Sequence, residues 1–197
     1  VKLIIVRHGE THENVAGIML GHGHGKLTDL GIEQAKKVGL RLKDEKIDIA
    51  YVSDLERTCA TASHILSFHP TIPVIYTKDL RERNFGIYEG MKSVVVKDLL
   101  KHIQKKWEHK PESGESRIEL QQRIVSFCED LFKRHKGQTI LIVSHGGPMT
   151  CLYLHLFEKS FEEYAQYHPE NTAVTILEIS DDKKHTVHVL NCVKHLE

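Results

Sequence analysis

The chain has 197 residues, 40% hydrophobic and 27% charged, which suits one soluble domain of moderate size able to bury a core. Lys+Arg and Asp+Glu balance at 27 each, so no global field draws it to nucleic acid or to an acidic membrane. No stretch approaches the length of a transmembrane helix, and the apolar run at 3–6 is too short for a secretory signal.

The first apolar run, Leu3-Ile4-Ile5-Val6, reads as a buried strand that gives way to Arg7-His8-Gly9-Glu10-Thr11. Thr28 is the expected N-cap of a helix whose apolar stripe is Ala35, Val38 and Leu42. Residues 47–52 read as a second strand ending at Ser53-Asp54, with a helix following through Arg57, Cys59, Ala62 and Ile65. Residues 72–76 form a third expected strand and lead to Leu80-Arg81-Glu82-Arg83-Asn84-Phe85-Gly86. Val95, Leu99, Ile103 and Trp107 recur every fourth residue, so the spacing predicts an amphipathic helix over 93–107 with lysines on its other face. Residues 111–114 break it, and a long helix follows from about Ser116 to His135, with Leu120, Ile124, Phe127 and Leu131 inward.

Residues 138–143 make a fourth strand, and 149–157 read as helical. Residues 172–179 and 186–190 read as two more strands joined by the polar turn Asp181-Asp182-Lys183-Lys184. Strands alternating with helices imply an α/β fold: three layers, with a mostly parallel central sheet and helices on both faces. There is no internal repeat or linker, so residues 1–195 make a single domain; Leu196 and Glu197 look like the stub of an expression-tag linker and are set aside. The four cysteines, Cys59, Cys128, Cys151 and Cys192, form no C-x-x-C pair, which reads as thiols in a reducing, cytoplasmic compartment.

In this architecture ligands bind beyond the carboxyl ends of the strands. The pattern brings three loops to that edge, at 7–14, 53–57 and 144–147. His8 follows a strand and an arginine, and Gly9 lets the backbone turn sharply and approach a ligand. A neutral imidazole there can attack phosphorus as a nucleophile, while Arg7 offers a planar fork of donors to phosphoryl oxygens. The alternative reading of His8 is a core histidine hydrogen-bonded at a strand end. Arg57 lies near a helix N-terminus, where the dipole favours anions, and His145 before Gly146-Gly147 would complete a cage of donors. Taken singly, Arg57 is as well read as a surface charge and His145 as a structural residue.

An ordered set of motifs joins these pieces: R-H-G-E-T-x-x-N at 7–14, L-T-x-x-G-x-x-Q-A at 27–35 and S-D-L-x-R-T at 53–58. It continues with L-x-E-x-x-F-G-x-Y-E-G at 80–90, G-E-S at 114–116 and V-S-H-G-G at 143–147. The set resembles the histidine phosphatase superfamily, also called the phosphoglycerate mutase-like family. The resemblance implies His8 as the nucleophile that becomes phosphorylated. It implies Arg7, Arg57 and His145 as phosphoryl-binding groups, joined by Asn14, Gly21 and Gly146. It implies Glu82 as the acid for the leaving group and then the base for water. Leu80 and Phe85 would raise the pKa of that carboxyl, and Arg81 and Arg83 would lower it if they turned the same way.

No metal and no cofactor are expected, because arginines and histidines already supply the positive charge. His22-Gly23-His24 falls short of a metal-ligand set and reads as a substrate-facing loop, though it departs from the family's polar pattern there. Mutases of the family resemble one another in a long insertion after E-G carrying adjacent arginines, and in asparagine after the second H-G. Here Gly90 and Pro111 are 21 positions apart, with lysines and no arginine between them, and Gly147 follows Gly146. The expectation is therefore a phosphomonoesterase acting on a small phosphorylated metabolite, with a cofactor-dependent phosphoglycerate mutase as the alternative. A non-catalytic phospho-ligand binder is the alternative of another class. The lysines of 97–110 either draw anionic substrates or form a solvated helix face. No nucleic-acid or membrane partner is expected, and the sequence leaves oligomeric state and substrate open.

Overall fold

A computed structural model of the chain describes residues 1–180 and 184–197. Six strands form one sheet: β1 (Lys2–Arg7), β2 (Ile49–Ser53), β3 (Val74–Thr77), β4 (Thr139–Ser144), β5 (Val174–Ile179) and β6 (His185–Cys192). Their spatial order is β3-β2-β4-β1-β5-β6. The first four in that order run parallel, β5 is antiparallel to β1, and β6 is antiparallel to β5. The parallel strands β2 and β4 are buried along their whole length, which explains why they read as continuous apolar runs.

Successive strand residues point to opposite faces, and each face buries its own core. Leu3, Ile5, Tyr51, Ile140 and Ile142 pack against α5 (Arg117–Arg134) and α6 (Gly146–Leu156) through Leu120, Ile124, Leu131 and Met149. Ile4, Val6, Val52, Leu141 and Val143 pack against α2 (Asp29–Leu42) and α3 (Glu56–Leu66) through Val38, Leu42, Ala62 and Ile65. Each such aliphatic side chain contributes about 1.5–3 kcal/mol on burial. The three-layer α/β reading holds, and the cap expected at Thr28 is in place. Thr28 accepts from the Gly31 N–H at 2.9 Å, and Ser116 and Glu119 form a capping box at the start of α5.

The helix expected over 93–107 is corrected. Helix α4 runs only over Ser93–Leu99, and the residue it buries is Val96, while Val95 and Leu99 are 46% and 57% exposed. The four-residue period therefore marked a face that is not the packed one. Beyond it the chain turns, and the Trp107 carbonyl accepts from the Arg117 and Ile118 N–H groups, satisfying donors left over at the start of α5. The Trp107 ring stacks on Phe161, centroids 6.1 Å apart. The lysines of this stretch largely make exposed ion pairs: Lys101 with Asp98, Lys105 with Glu108 and Lys110 with Glu119. Two short helices, α1 (His12–Ala16) and α7 (Tyr164–Tyr167), carry no amphipathic period and were not expected. Of the polar turn expected at 181–184, residues 181–183 lie outside the described residues.

All four cysteines are free, with Cys128 and Cys151 buried, as the sequence implied. Among the described residues, no helix is long and apolar enough to cross a membrane.

Candidate active site

The register of the sheet sets the site. Arg7 on β1 pairs with Ser144 on β4, so His8 and His145 leave adjacent parallel strands side by side, with ring centroids 5.2 Å apart. Val52 of β2 pairs with Val143 of β4, which brings Ser53 and, in the first turn of α3, Arg57 to the same edge. His8 is 3% exposed, Arg57 2% and His145 0%, so the three expected groups meet inside the protein.

The hydrogen bonds fix the tautomers. His8 Nδ1 lies 2.7 Å from the Gly9 carbonyl oxygen, which can only accept, so the proton is on Nδ1 and the Nε2 lone pair is free. Burial first, then the charges of Arg7 and Arg57, holds the His8 pKa well below the ordinary histidine value. The ring is therefore neutral and nucleophilic at neutral pH. His145 is wired otherwise: its Nδ1 accepts from Arg57 Nε at 3.2 Å, so its Nε2–H donates to Ser53 Oγ at 2.8 Å. Its pKa is also driven far down, by burial and then by Arg57.

Arg57 donates further to the carbonyls of Gly23, at 3.0 Å, and Gly21, at 2.8 Å. Burial lowers its pKa to about 10, which leaves it cationic at neutral pH. Arg7 donates to the Pro169 carbonyl at 2.6 Å, while its Nε is buried without a hydrogen-bond partner among the described residues. A buried guanidinium N–H left open beside a free imidazole nitrogen is a place for an anion.

Glu82 reaches the site from the segment after β3. Its Oε2 accepts from the Gly147 N–H at 3.1 Å and its Oε1 from the Arg83 N–H at 2.8 Å. Neither flanking arginine makes an ion pair with it. Arg81 binds Asp54 through two bonds of 2.6 Å, and Arg83 donates to the Glu115 and His109 carbonyls. The Glu82 carbonyl is clamped by His22 Nε2 at 2.9 Å and Arg123 at 3.3 Å. His22 thus ties the loop after α1 to the Glu82 segment, and its backbone N–H is held by Glu89 at 2.9 Å.

The remaining expected residues differ in what they do. Gly21 is in place, but the bond it makes runs through its carbonyl to Arg57. Asn14 is exposed; its Oδ1 accepts from the Thr11 N–H and from Asn171 Nδ2. Gly146 opens α6 beside His145, where helix N–H groups favour an anion. The reason for Gly9 is corrected: a Cβ there would run into the carbonyl of Gly31 at 2.5 Å, so α2 packing, not a sharp turn, demands glycine.

Sequence reasoning missed Ser53 as the acceptor for His145, and it missed the segment 168–171 entirely. In that segment Pro169 holds Arg7, while Asn171 Nδ2 donates to the His8 carbonyl at 3.0 Å. His168 bonds Thr150 at 3.1 Å and stacks on Tyr164, centroids 5.7 Å apart. The stretch carries no apolar period and no motif, so nothing in the sequence pointed to it.

Two buried histidines and two arginines around an open Nε2, with a carboxyl beside them, define the class: an α/β enzyme built for phosphoryl transfer through histidine. The chain belongs to the histidine phosphatase superfamily (branch 1), whose profile matches residues 3–192. It is 29% identical over 201 residues to phosphoserine phosphatase 1 of Hydrogenobacter thermophilus, covering 100% of this chain and 94% of that one. Its fold matches YhfR of Bacillus stearothermophilus with a TM-score of 0.90 at 28% identity, covering 100% and 99% of the two chains. It also matches phosphoserine phosphatase of Entamoeba histolytica in complex with 3-phosphoglyceric acid, with a TM-score of 0.86 at 28% identity and the same coverage. The chain is a phosphoric monoester hydrolase of this superfamily.

Proposed function

We propose that the chain hydrolyses a small phosphomonoester through a phosphohistidine at His8 Nε2, without a metal ion. The observation that carries this reading is the Nδ1–H bond from His8 to the Gly9 carbonyl, which leaves Nε2 unprotonated near the half-buried Arg7 and the buried Arg57. Nε2 attacks phosphorus, a P–N bond forms, and the P–O bond to the leaving alcohol breaks. Arg7, Arg57 and the Gly146 N–H stabilise the charge on the transferring oxygens. Glu82, in its acid form, gives its proton to the leaving oxygen. As a carboxylate it then takes a proton from water, whose oxygen attacks phosphorus; the P–N bond breaks and inorganic phosphate leaves. His8 is restored neutral and Glu82 protonated.

His145 keeps Arg57 aimed at the phosphoryl group, since both its ring nitrogens are engaged. The substrate class is supported by the relatives, which include phosphoserine phosphatases and one neighbour with 3-phosphoglyceric acid bound. Hydrolysis over isomerisation is supported by the short stretch between Gly90 and Pro111. A cytoplasmic location is supported by the four free thiols. The test is turnover of p-nitrophenyl phosphate with chelator present. We expect full activity in chelator and none in His8→Ala; activity that chelator abolishes would overturn the metal-independent route.

A further inference from the structure

His168 is a residue that the chemistry above does not use, yet it stands at the wall of the same recess. Its ring packs so closely over Gly146 that a Cβ there would strike it, just as a Cβ on Gly147 would strike the Glu82 carboxylate. The two glycines are neighbours, with Cα atoms about 3.8 Å apart. His168 and Glu82 therefore both abut the first turn of α6, and the Glu82 charge acts on the His168 ring. His168 is an exposed residue, so a molecule at the site can touch it.

Its tautomer follows from Thr150. The Thr150 hydroxyl spends its one proton on the Gly146 carbonyl at 2.7 Å, so toward His168 Nδ1, 3.1 Å away, it can only accept. His168 thus carries its proton on Nδ1 and offers a lone pair at Nε2, for which no hydrogen-bond partner occurs among the described residues. The ring also stays neutral. The depth of the recess and then Arg7 hold its pKa down to about 4, against the opposing pull of Glu82, with Arg117 adding to the lowering. Tyr164 stacks on its other side and fixes the plane of the ring. In a recess otherwise dominated by donors and cations, this is a fixed acceptor placed beside the acid for the leaving group.

We propose that His168 is a specificity-determining residue whose Nε2 accepts a hydrogen bond from a hydroxyl or ammonium group on the leaving alcohol, one carbon beyond the ester-bearing carbon. The inference rests on the phosphatase reading of the site and adds to it the kind of alcohol preferred. Glu82 serves the ester oxygen, and His168, on the adjoining glycine, lies within reach of a donor one or two bonds further along. Leaving groups of the vicinal-diol or 2-amino-alcohol type fit; a plain alkyl chain leaves the acceptor unpaired.

The experiment compares kcat/KM within two matched pairs: propane-1,2-diol 1-phosphate against n-propyl phosphate, and 2-aminoethyl phosphate against ethyl phosphate. The wild-type protein should favour the donor-bearing member by about tenfold in at least one pair, and the pair that responds identifies the donor. His168→Leu should bring that ratio to about one, and His168→Gln, which keeps an acceptor, should retain part of it. Thr150→Val is a second route that leaves the ring in place. Without its acceptor the imidazole is free to move its proton to Nε2, and the ratio should fall again. Nitrogen-15 spectra of wild-type His168 should show the Nδ1–H form. A wild-type ratio near one in both pairs, or an unchanged ratio in His168→Leu and Thr150→Val, overturns the proposal while leaving the phosphatase reading intact. A uniform fall for both members of a pair would assign His168 a purely structural role and also overturn it. Failure to hydrolyse any of the four esters, with p-nitrophenyl phosphate also untouched, would overturn the phosphatase reading itself and this inference with it.

Discussion

His8 and His145 stand one residue beyond paired positions on neighbouring parallel strands, and both are followed by glycine. Their surroundings nonetheless give them different work. His8 donates from Nδ1 to its own neighbour's carbonyl and keeps Nε2 free. His145 has both nitrogens engaged, one by Arg57 and one by Ser53. The sheet brings the two imidazoles together, but the partners on the ring nitrogens leave a lone pair open on one ring and engage both nitrogens of the other. A motif that reads hydrophobic run, histidine, glycine cannot distinguish them.

The largest expected effect breaks the comparison at its reactive end. His8→Ala should lower kcat on p-nitrophenyl phosphate by on the order of 10⁴-fold, because it removes the attacking nitrogen and with it the covalent route. His145→Ala should cost less, on the order of 10²–10³-fold, since it loosens Arg57 without removing the attacking atom. Steady-state kinetics of the two variants side by side checks the ranking, and equal losses would show that the rings share one role.

Glu82→Gln should slow alkyl phosphates by about 10²-fold and p-nitrophenyl phosphate far less, because an activated leaving group needs no proton. Equal slowing of both would remove Glu82 from the acid role. Ser53→Ala leaves the buried His145 Nε2–H without an acceptor and should cost about 1–3 kcal/mol of stability, read by denaturant unfolding.

The smallest effect is on stability against pH. His8 and His145 both have folded pKa values well below 6.5, so the unfolded chain binds more protons between those values and 6.5. Stability from these two groups is full above about pH 6.5 and is lost as pH falls toward the folded values. The midpoint of thermal unfolding should drop between pH 7 and pH 5, and less steeply in His145→Gln.

Most of the reacting half of the site was legible because its residues sit where periodic structure ends. Arg7 ends a buried strand, His8 and His145 each follow one, Arg57 lies in the first turn of the helix after another, and Glu82 lies in a motif of the family. The mostly parallel sheet and the two helical layers were likewise readable from alternation and apolar runs. What could not be read is held by single tertiary contacts: Ser53 against His145, Pro169 against Arg7, Thr150 against His168. None of these leaves a period in the sequence. The stretch at 93–107 misled for a related reason. A four-residue spacing of apolar residues marks a helix face only if something covers it, and here Val95 and Leu99 face outward. Gly9 gave a true signal with the wrong cause, since the atom that forbids a side chain belongs to a helix 22 positions away.

The most direct measurement is to quench the protein during turnover of a phosphomonoester and locate the acid-labile phosphoryl group by mass spectrometry under neutral conditions. The account predicts phosphorus on Nε2 of His8, accumulating in Glu82→Gln, where water is no longer activated. Phosphorus on His145, or steady turnover with neither histidine ever labelled, would contradict it.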